Sequence, residues 1–94
     1  MSSRKTADIR GALERKGFEA ANRDHVFLFL FVDGRKTQVR TKISHGTKEY
    51  GDGLLSLMAK QLHLNMSELG ELLDCPLSRE SYVSLLMERG VLVL

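Results

Sequence analysis

The runs "HVFLFLFV" (residues 25–32) and "RKTQVRTKI" (residues 35–43) meet across Asp33-Gly34, and this junction constrains the fold more than any other feature. An Asp-Gly pair between two strand-like runs signals a two-residue hairpin loop, because both loop positions take positive φ. Val32 then pairs with Arg35, and the register sets Phe31 opposite Lys36, Phe29 opposite Gln38, Phe27 opposite Arg40 and His25 opposite Lys42. Side chains alternate between the faces of a strand. One face therefore carries Val26, Leu28, Leu30, Val32, Val39 and Ile43, a set suited to a core. The other carries His25, Phe27, Phe29, Phe31, Lys36, Arg40 and Lys42. Aromatic rings interleaved with cations suit a surface that handles RNA. A one-residue slip would exchange the two faces, so the functional reading depends on this register.

The flanking segments predict an α+β fold. Ala7, Ile9, Ala12 and Leu13 recur at helical spacing between Thr6 and Lys16, and Gly17 can supply a left-handed cap. A short strand at Phe18–Ala21 and a break at Asn22–Asp24 lead into the hairpin. After the loop "SHGTKEYGDG", Leu54, Leu55, Met58, Ala59 and Leu62 define a second amphipathic helix, with Asp52 as its cap and Asn65 as its end. The expected core is α-β-β-β-α with a three-stranded antiparallel sheet. Residues 66–94 read as a C-terminal helical extension. Ser67 caps a stretch with Leu69, Leu72 and Leu73, Cys75-Pro76 interrupts it, and Ser78 caps a last helix that carries Tyr82, Leu85 and Leu86 and stops at Gly90. Residues 1–5 are polar and expected to be disordered.

Ninety-four residues, 43% hydrophobic and 28% charged, suit a single domain spanning 1–94. The net charge is only +2, but residues 1–64 hold twelve Lys/Arg against seven Asp/Glu, and residues 65–94 two against five. Such a basic body with an acidic tail fits an anion-binding surface and a non-binding appendage, or a chance scatter of charge. Cys75 is the lone cysteine, so no internal disulfide forms and a reducing, cytoplasmic setting is expected. The start "MSSRKTADIR" lacks the apolar core of a secretory signal. No apolar run approaches the ~20 residues that span a bilayer, and no membrane partner is expected. Three histidines and one cysteine lack the paired spacing of metal ligands, so neither a metal nor a cofactor is expected.

Four features in order carry a family resemblance: Gly17-Phe18 after the first helix, His25 opening the middle strand, a basic third strand ending near His45, and a leucine-rich helix ending in "KQLHL". Over about residues 4–64 the chain resembles the HicA family of small bacterial toxins. The resemblance implies a double-stranded-RNA-binding-domain-like core, cleavage of messenger RNA, and an antitoxin protein as partner. It matches His25 to the family's essential histidine and His45 to the histidine after its third strand. Arg23-Asp24 stands where the family has Gly-Ser, "RTKISHG" lacks the proline common before the second histidine, the hairpin strands are longer, and residues 66–94 lie outside the pattern.

The candidate catalytic residue is His25, as general base toward a ribose 2′-hydroxyl or as general acid toward the leaving oxygen. Imidazole exchanges its proton near neutral pH, which suits either role. Lys36, Arg40, Lys42 and His45 are the candidate RNA- and phosphate-binding residues. His25 also reads as a structural strand-start histidine, and the basic residues as a solvated face that discourages edge-to-edge pairing. His45 also reads as an ordinary loop histidine. Asp24 falls on the opposite side of the strand and is a poor orienter for the imidazole. His63 is expected to pack at the second helix's C-terminal end. Phe27, Phe29 and Phe31 can stack bases, but a patch this apolar calls for cover, either by residues 66–94 with their "VLVL" end or by a second subunit. Two functions stand: an RNA-cleaving toxin component acting on mRNA, and a non-catalytic RNA-binding or protein-interaction module on the same fold.

Overall fold

The computed structural model describes residues 3–44, 46–74 and 76–93. Along the chain run β1 (Arg4–Lys5), α1 (Thr6–Arg15), β2 (Phe18–Asn22), β3 (Val26–Val32), β4 (Arg35–Ile43), β5 (Glu49–Tyr50), α2 (Asp52–Gln61), α3 (Met66–Asp74) and α4 (Arg79–Glu88). The fold is α+β, with a three-stranded antiparallel sheet in the order β2-β3-β4 and four helices. Among the described residues no helix is long and apolar enough to cross a membrane.

Asp33 and Gly34 both take positive φ, 52° and 77°, as a two-residue hairpin loop requires. Next to the loop the pairing follows expectation, Val32 with Arg35 and Phe31 with Lys36. Between Phe31 and Phe29 the ladder is irregular, and two extra residues of β4 are taken up. Phe29 therefore pairs with Arg40 rather than Gln38, and Phe27 with Lys42 rather than Arg40. The ladder closes on Val26 and Ile43, so His25 falls at the level of Ser44 and not of Lys42. The Thr37 hydroxyl holds the irregularity. It donates to Leu30 O at 2.8 Å and accepts from Val39 N at 3.2 Å, satisfying backbone groups that the broken ladder leaves over. Because the shift is even, every side chain keeps its expected face. Val26, Leu28, Leu30, Val32, Val39 and Ile43 are all buried, while Lys36, Arg40 and Lys42 are exposed.

The buried face of the sheet meets all four helices in one apolar cluster, with Leu13 of α1, Leu55 of α2, Leu72 of α3, and Tyr82 and Leu86 of α4 each fully buried. Phe18 of β2 stacks on Tyr82 with ring centroids 6.2 Å apart. The Tyr82 hydroxyl donates to Leu62 O at 2.9 Å, and burial raises its pKa. Residues 66–92 thus complete the layer over the core face. The expectation that they cover Phe27, Phe29 and Phe31 is overturned, since none of those three rings joins the cluster. The physical reason is area: α1 and α2 alone leave part of a three-stranded apolar face wet. Leu92 enters the core, and among the described residues Gln38 Nε2 of the outer face donates to Val91 O at 2.9 Å. Leu94, the last residue of that tail, lies outside the described residues.

Several helix ends differ from expectation. Asn65 does not end α2 but caps α3. Its side chain accepts from Glu68 N at 2.8 Å while Glu68 accepts from Asn65 N at 2.9 Å, a reciprocal box that displaces Ser67 from the capping role. Gly51, not Asp52, occupies the cap position of α2. α2 stops at Gln61, and His63 sits beyond it, exposed, with φ 62°. His63 N donates to Lys60 O and Leu64 N to Ala59 O, the paired bonds of a left-handed helix stop. Gly17 and Gly90 stop α1 and α4 as expected, and the Ser78 hydroxyl accepts from Ser81 N at 3.1 Å. Arg4 and Lys5, expected to be disordered, form a strand instead. β1 pairs with β5, and Arg4 forks onto Asp74 at 2.7 and 2.8 Å, a contact sequence spacing does not reveal. Met1 and Ser2, and the expected break at Cys75, lie outside the described residues.

Candidate nucleic-acid interface

The outer face of the sheet is built by alternation along three strands. β3 contributes Phe27, Phe29 and Phe31, each half-buried, and β4 contributes Lys36, Gln38, Arg40 and Lys42, all exposed. β2 adds Glu19 beside Phe29 and Ala21 beside Phe27. Phe27 and Phe29 stack with centroids 6.2 Å apart and planes 25° off parallel. Lys36 Nζ lies 3.8 Å over the Phe29 ring, a cation–π contact. Phe27 and Phe29 thus shelter each other without a helix over them, Phe27 also beside the His25 ring and Phe29 under Lys36.

His25 precedes β3 in a bend in which Arg23 N donates to His25 O at 3.0 Å. Its ring stands edge-on to Phe27, centroids 6.4 Å apart and planes at 76°, so it shares the face of Phe27 and of Phe27's strand partner Lys42. His25 Nδ1 is buried with no hydrogen-bond partner among the described residues. A buried ring nitrogen left in this state carries a desolvation cost that a ligand group can relieve. Among the described residues Lys36, Arg40 and Lys42 make no ion pair with a carboxylate, whereas Arg4 and Arg89 are committed to Asp74 and Glu68. His45 lies outside the described residues. His63 stands apart, in its helix-stop position.

Two depressions flank Lys42. One, of about 350 Å³, is lined by Phe27, Arg40, Thr41, Lys42 and Gln61. The other, about 50 Å³, is lined by Lys42, Ser44 and Tyr50 with Leu54, Leu57, Met58 and Gln61 of α2. Leu54 and Leu57 are 43% and 50% exposed. The sequence pattern placed Leu54 in the single apolar stripe of α2 with Leu55, Met58, Ala59 and Leu62, and the structure exposes it. Leu54, Leu57 and Gln61, spaced i, i+3 and i+7, form a second line that was there to be read. Larger clefts, each about 590 Å³, lie away from His25, one beside the Arg4–Asp74 pair and one between β4 and residues 91–93. Among the described residues no three His, Cys, Asp or Glu side chains gather as a metal site would require.

No family model, curated protein or solved structure matches this chain.

Proposed function

We propose that this chain is an RNA-cleaving toxin component on a double-stranded-RNA-binding-domain-like core, of the kind the HicA resemblance implies. The observation that carries the reading is the outer sheet face itself. It joins His25, a row of aromatic rings and three cations that pair with no carboxylate among the described residues, while all four helices contribute to the core on the other side. RNA supplies its own nucleophile. Neutral His25 takes the proton of a ribose 2′-hydroxyl, the 2′-oxygen bonds to the adjacent phosphorus, and the P–O5′ bond breaks. The leaving 5′-oxygen takes a proton from water or from the imidazolium, and a cyclic phosphate remains on the other fragment. Arg40 and Lys42, with Lys36 alongside, hold the phosphate and offset the charge that builds as it becomes five-coordinate, and His45 is proposed for the same role. An antitoxin partner in the same cell would keep this activity in check.

Growth after induction of the wild-type chain, set against His25→Ala, tests the reading. Arrest by the wild type with relief by the variant is expected, together with RNA breakdown in the arrested cells. Equal growth of the two, with intact RNA, would sink it. The second reading, a non-catalytic module, draws on the exposed Leu54 and Leu57 beside Lys42, an apolar ridge suited to a protein partner. Under that reading, binding to a partner is lost with Leu57→Ser and untouched by His25→Ala.

A further inference from the structure

We infer that Gln61, oriented by Thr41, completes a nucleotide subsite next to His25 in which one phosphate of single-stranded RNA sits among Gln61, Arg40 and Lys42 with its base on Phe27. The inference rests on the RNA-binding reading above and extends it to residues that the sequence did not single out.

Thr41 points inward from β4 and is only 3% exposed. Its hydroxyl donates to Gln61 Oε1 at 2.6 Å, from the body of the sheet to the last residue of α2. That bond occupies the amide's acceptor and fixes the plane of the group, so Nε2 is left to donate outward. No bond to Nε2 is formed among the described residues. The depression that Gln61 lines is also lined by Arg40 and Lys42, neither of which makes an ion pair with a carboxylate among the described residues. Three residues with donor side chains line one pocket, and among its described lining residues the side-chain acceptors are Gln61 Oε1 and the Thr41 hydroxyl, which are bonded to each other. A pocket of this kind selects an anion with several acceptor oxygens, as a phosphodiester has. Phe27 supplies an aromatic wall, already in ring contact with His25 on one side and Phe29 on the other. A base that is free to leave its stack can meet that ring, and a base inside a duplex cannot. The subsite therefore belongs to a single strand, and it places a nucleotide one ring away from the imidazole.

The test is fluorescence anisotropy of a labelled single-stranded oligonucleotide carrying 2′-O-methyl groups, which lacks the nucleophile and stays intact, titrated with the full chain. Gln61→Glu keeps the acceptor for Thr41 but turns the free end negative, and it weakens binding about tenfold. Gln61→Lys binds at least as tightly as the wild type, with a salt slope steeper by about 0.7. Thr41→Val frees the amide to rotate and weakens binding about threefold. A blunt duplex of the same sequence binds more weakly than the single strand. Melting curves of each variant, close to the wild type's, separate these effects from unfolding. Opposite responses to Glu and Lys at position 61 cannot come from a merely structural glutamine. If both Gln61 variants bind like the wild type while Arg40→Ala and Lys42→Ala weaken binding, the subsite falls and the RNA-binding face stands. If both Gln61 variants weaken binding equally, or the duplex binds as well as the single strand, the subsite as drawn is wrong. If the wild-type chain binds no oligonucleotide at all, both the subsite and the function proposed above fall together.

Discussion

The Thr37 hydroxyl and the His63 backbone show how single residues set the local geometry here. Thr37 satisfies Leu30 O and Val39 N at once, so Thr37→Val removes one hydroxyl and strands two backbone groups. A loss of about 1–3 kcal/mol in urea unfolding is expected. A variant as stable as the wild type would show that water replaces the hydroxyl and that the irregular ladder does not need it. His63 holds φ 62°, a conformation costing a non-glycine residue roughly 1–2 kcal/mol. Its exposed side chain forms no hydrogen bond among the described residues, and the Arg89 contact goes to its carbonyl oxygen. His63→Gly is therefore expected to raise stability by about 0.5–1 kcal/mol, after glycine's own entropy is counted. A lower melting temperature in that variant would mean the imidazole has a role this geometry does not show. Neither position was legible in the sequence. A threonine in a strand and a histidine after a helix are ordinary neighbours until the ladder and the cap around them are seen.

Helix α3 depends on its ends more than on its length. Asn65 and Glu68 form the box that starts it, and Glu68 also takes Arg89 at 2.5 and 3.1 Å, tying the start of α3 to the end of α4. Asn65→Ala should cost about 1 kcal/mol, read by thermal or chemical melting. The hydrogen bonds from Arg89, and then that from the Asn65 backbone, lower the pKa of Glu68, and the Arg4 fork lowers that of Asp74. A carboxylate with a lowered folded-state pKa contributes stability above its unfolded value, near 4, and loses that contribution as pH falls through the lower folded value. Melting temperature should therefore fall as pH drops below about 4, and Glu68→Gln together with Asp74→Asn should flatten that part of the curve. Asp74 is exposed and Glu68 only partly buried, so the effect is small and declines with added salt. An unchanged acid slope in the double variant would assign the acid sensitivity elsewhere. The elements themselves were readable from sequence: the hairpin loop, the helical stripes, the Gly17 and Gly90 stops and the Ser78 cap. The cap of α3 was misplaced because Asn65 suits both the end of one helix and the start of the next, and only the chain's path decides between them.

At the scale of the whole molecule, residues 66–92 are part of the core and not an appendage to it. Leu69, Leu72, Leu73, Tyr82, Leu86 and Leu92 are all buried in the common cluster. At about 1.5–3 kcal/mol for each large apolar side chain, their burial contributes on the order of 10 kcal/mol, comparable with the entire net stability of a small domain. Truncation after Asn65 should leave a chain without a cooperative melting transition, and circular dichroism against temperature reads it. A truncated chain that melts cooperatively near the full-length temperature would show that residues 4–64 stand alone. Under the proposed function, RNA binding should also weaken as salt rises, and Arg40→Ala with Lys42→Ala should weaken it about equally for all sequences.

The sequence by itself determined which side of the hairpin is core and which side carries His25, the phenylalanines and the cations. Alternation has a period of two, and the Asp33-Gly34 loop sets its phase, so even a two-residue irregularity left the faces intact. Tertiary structure alone decided who stands opposite whom beyond that irregularity, that Thr41 reaches Gln61, and that the last two helices lie on the core face. Those outcomes depend on how much apolar area the sheet presents and on contacts between residues such as Arg4 and Asp74 or Phe18 and Tyr82. Contacts between residues so far apart in sequence leave no local pattern, because they exist only once packing has chosen a single arrangement of the helices.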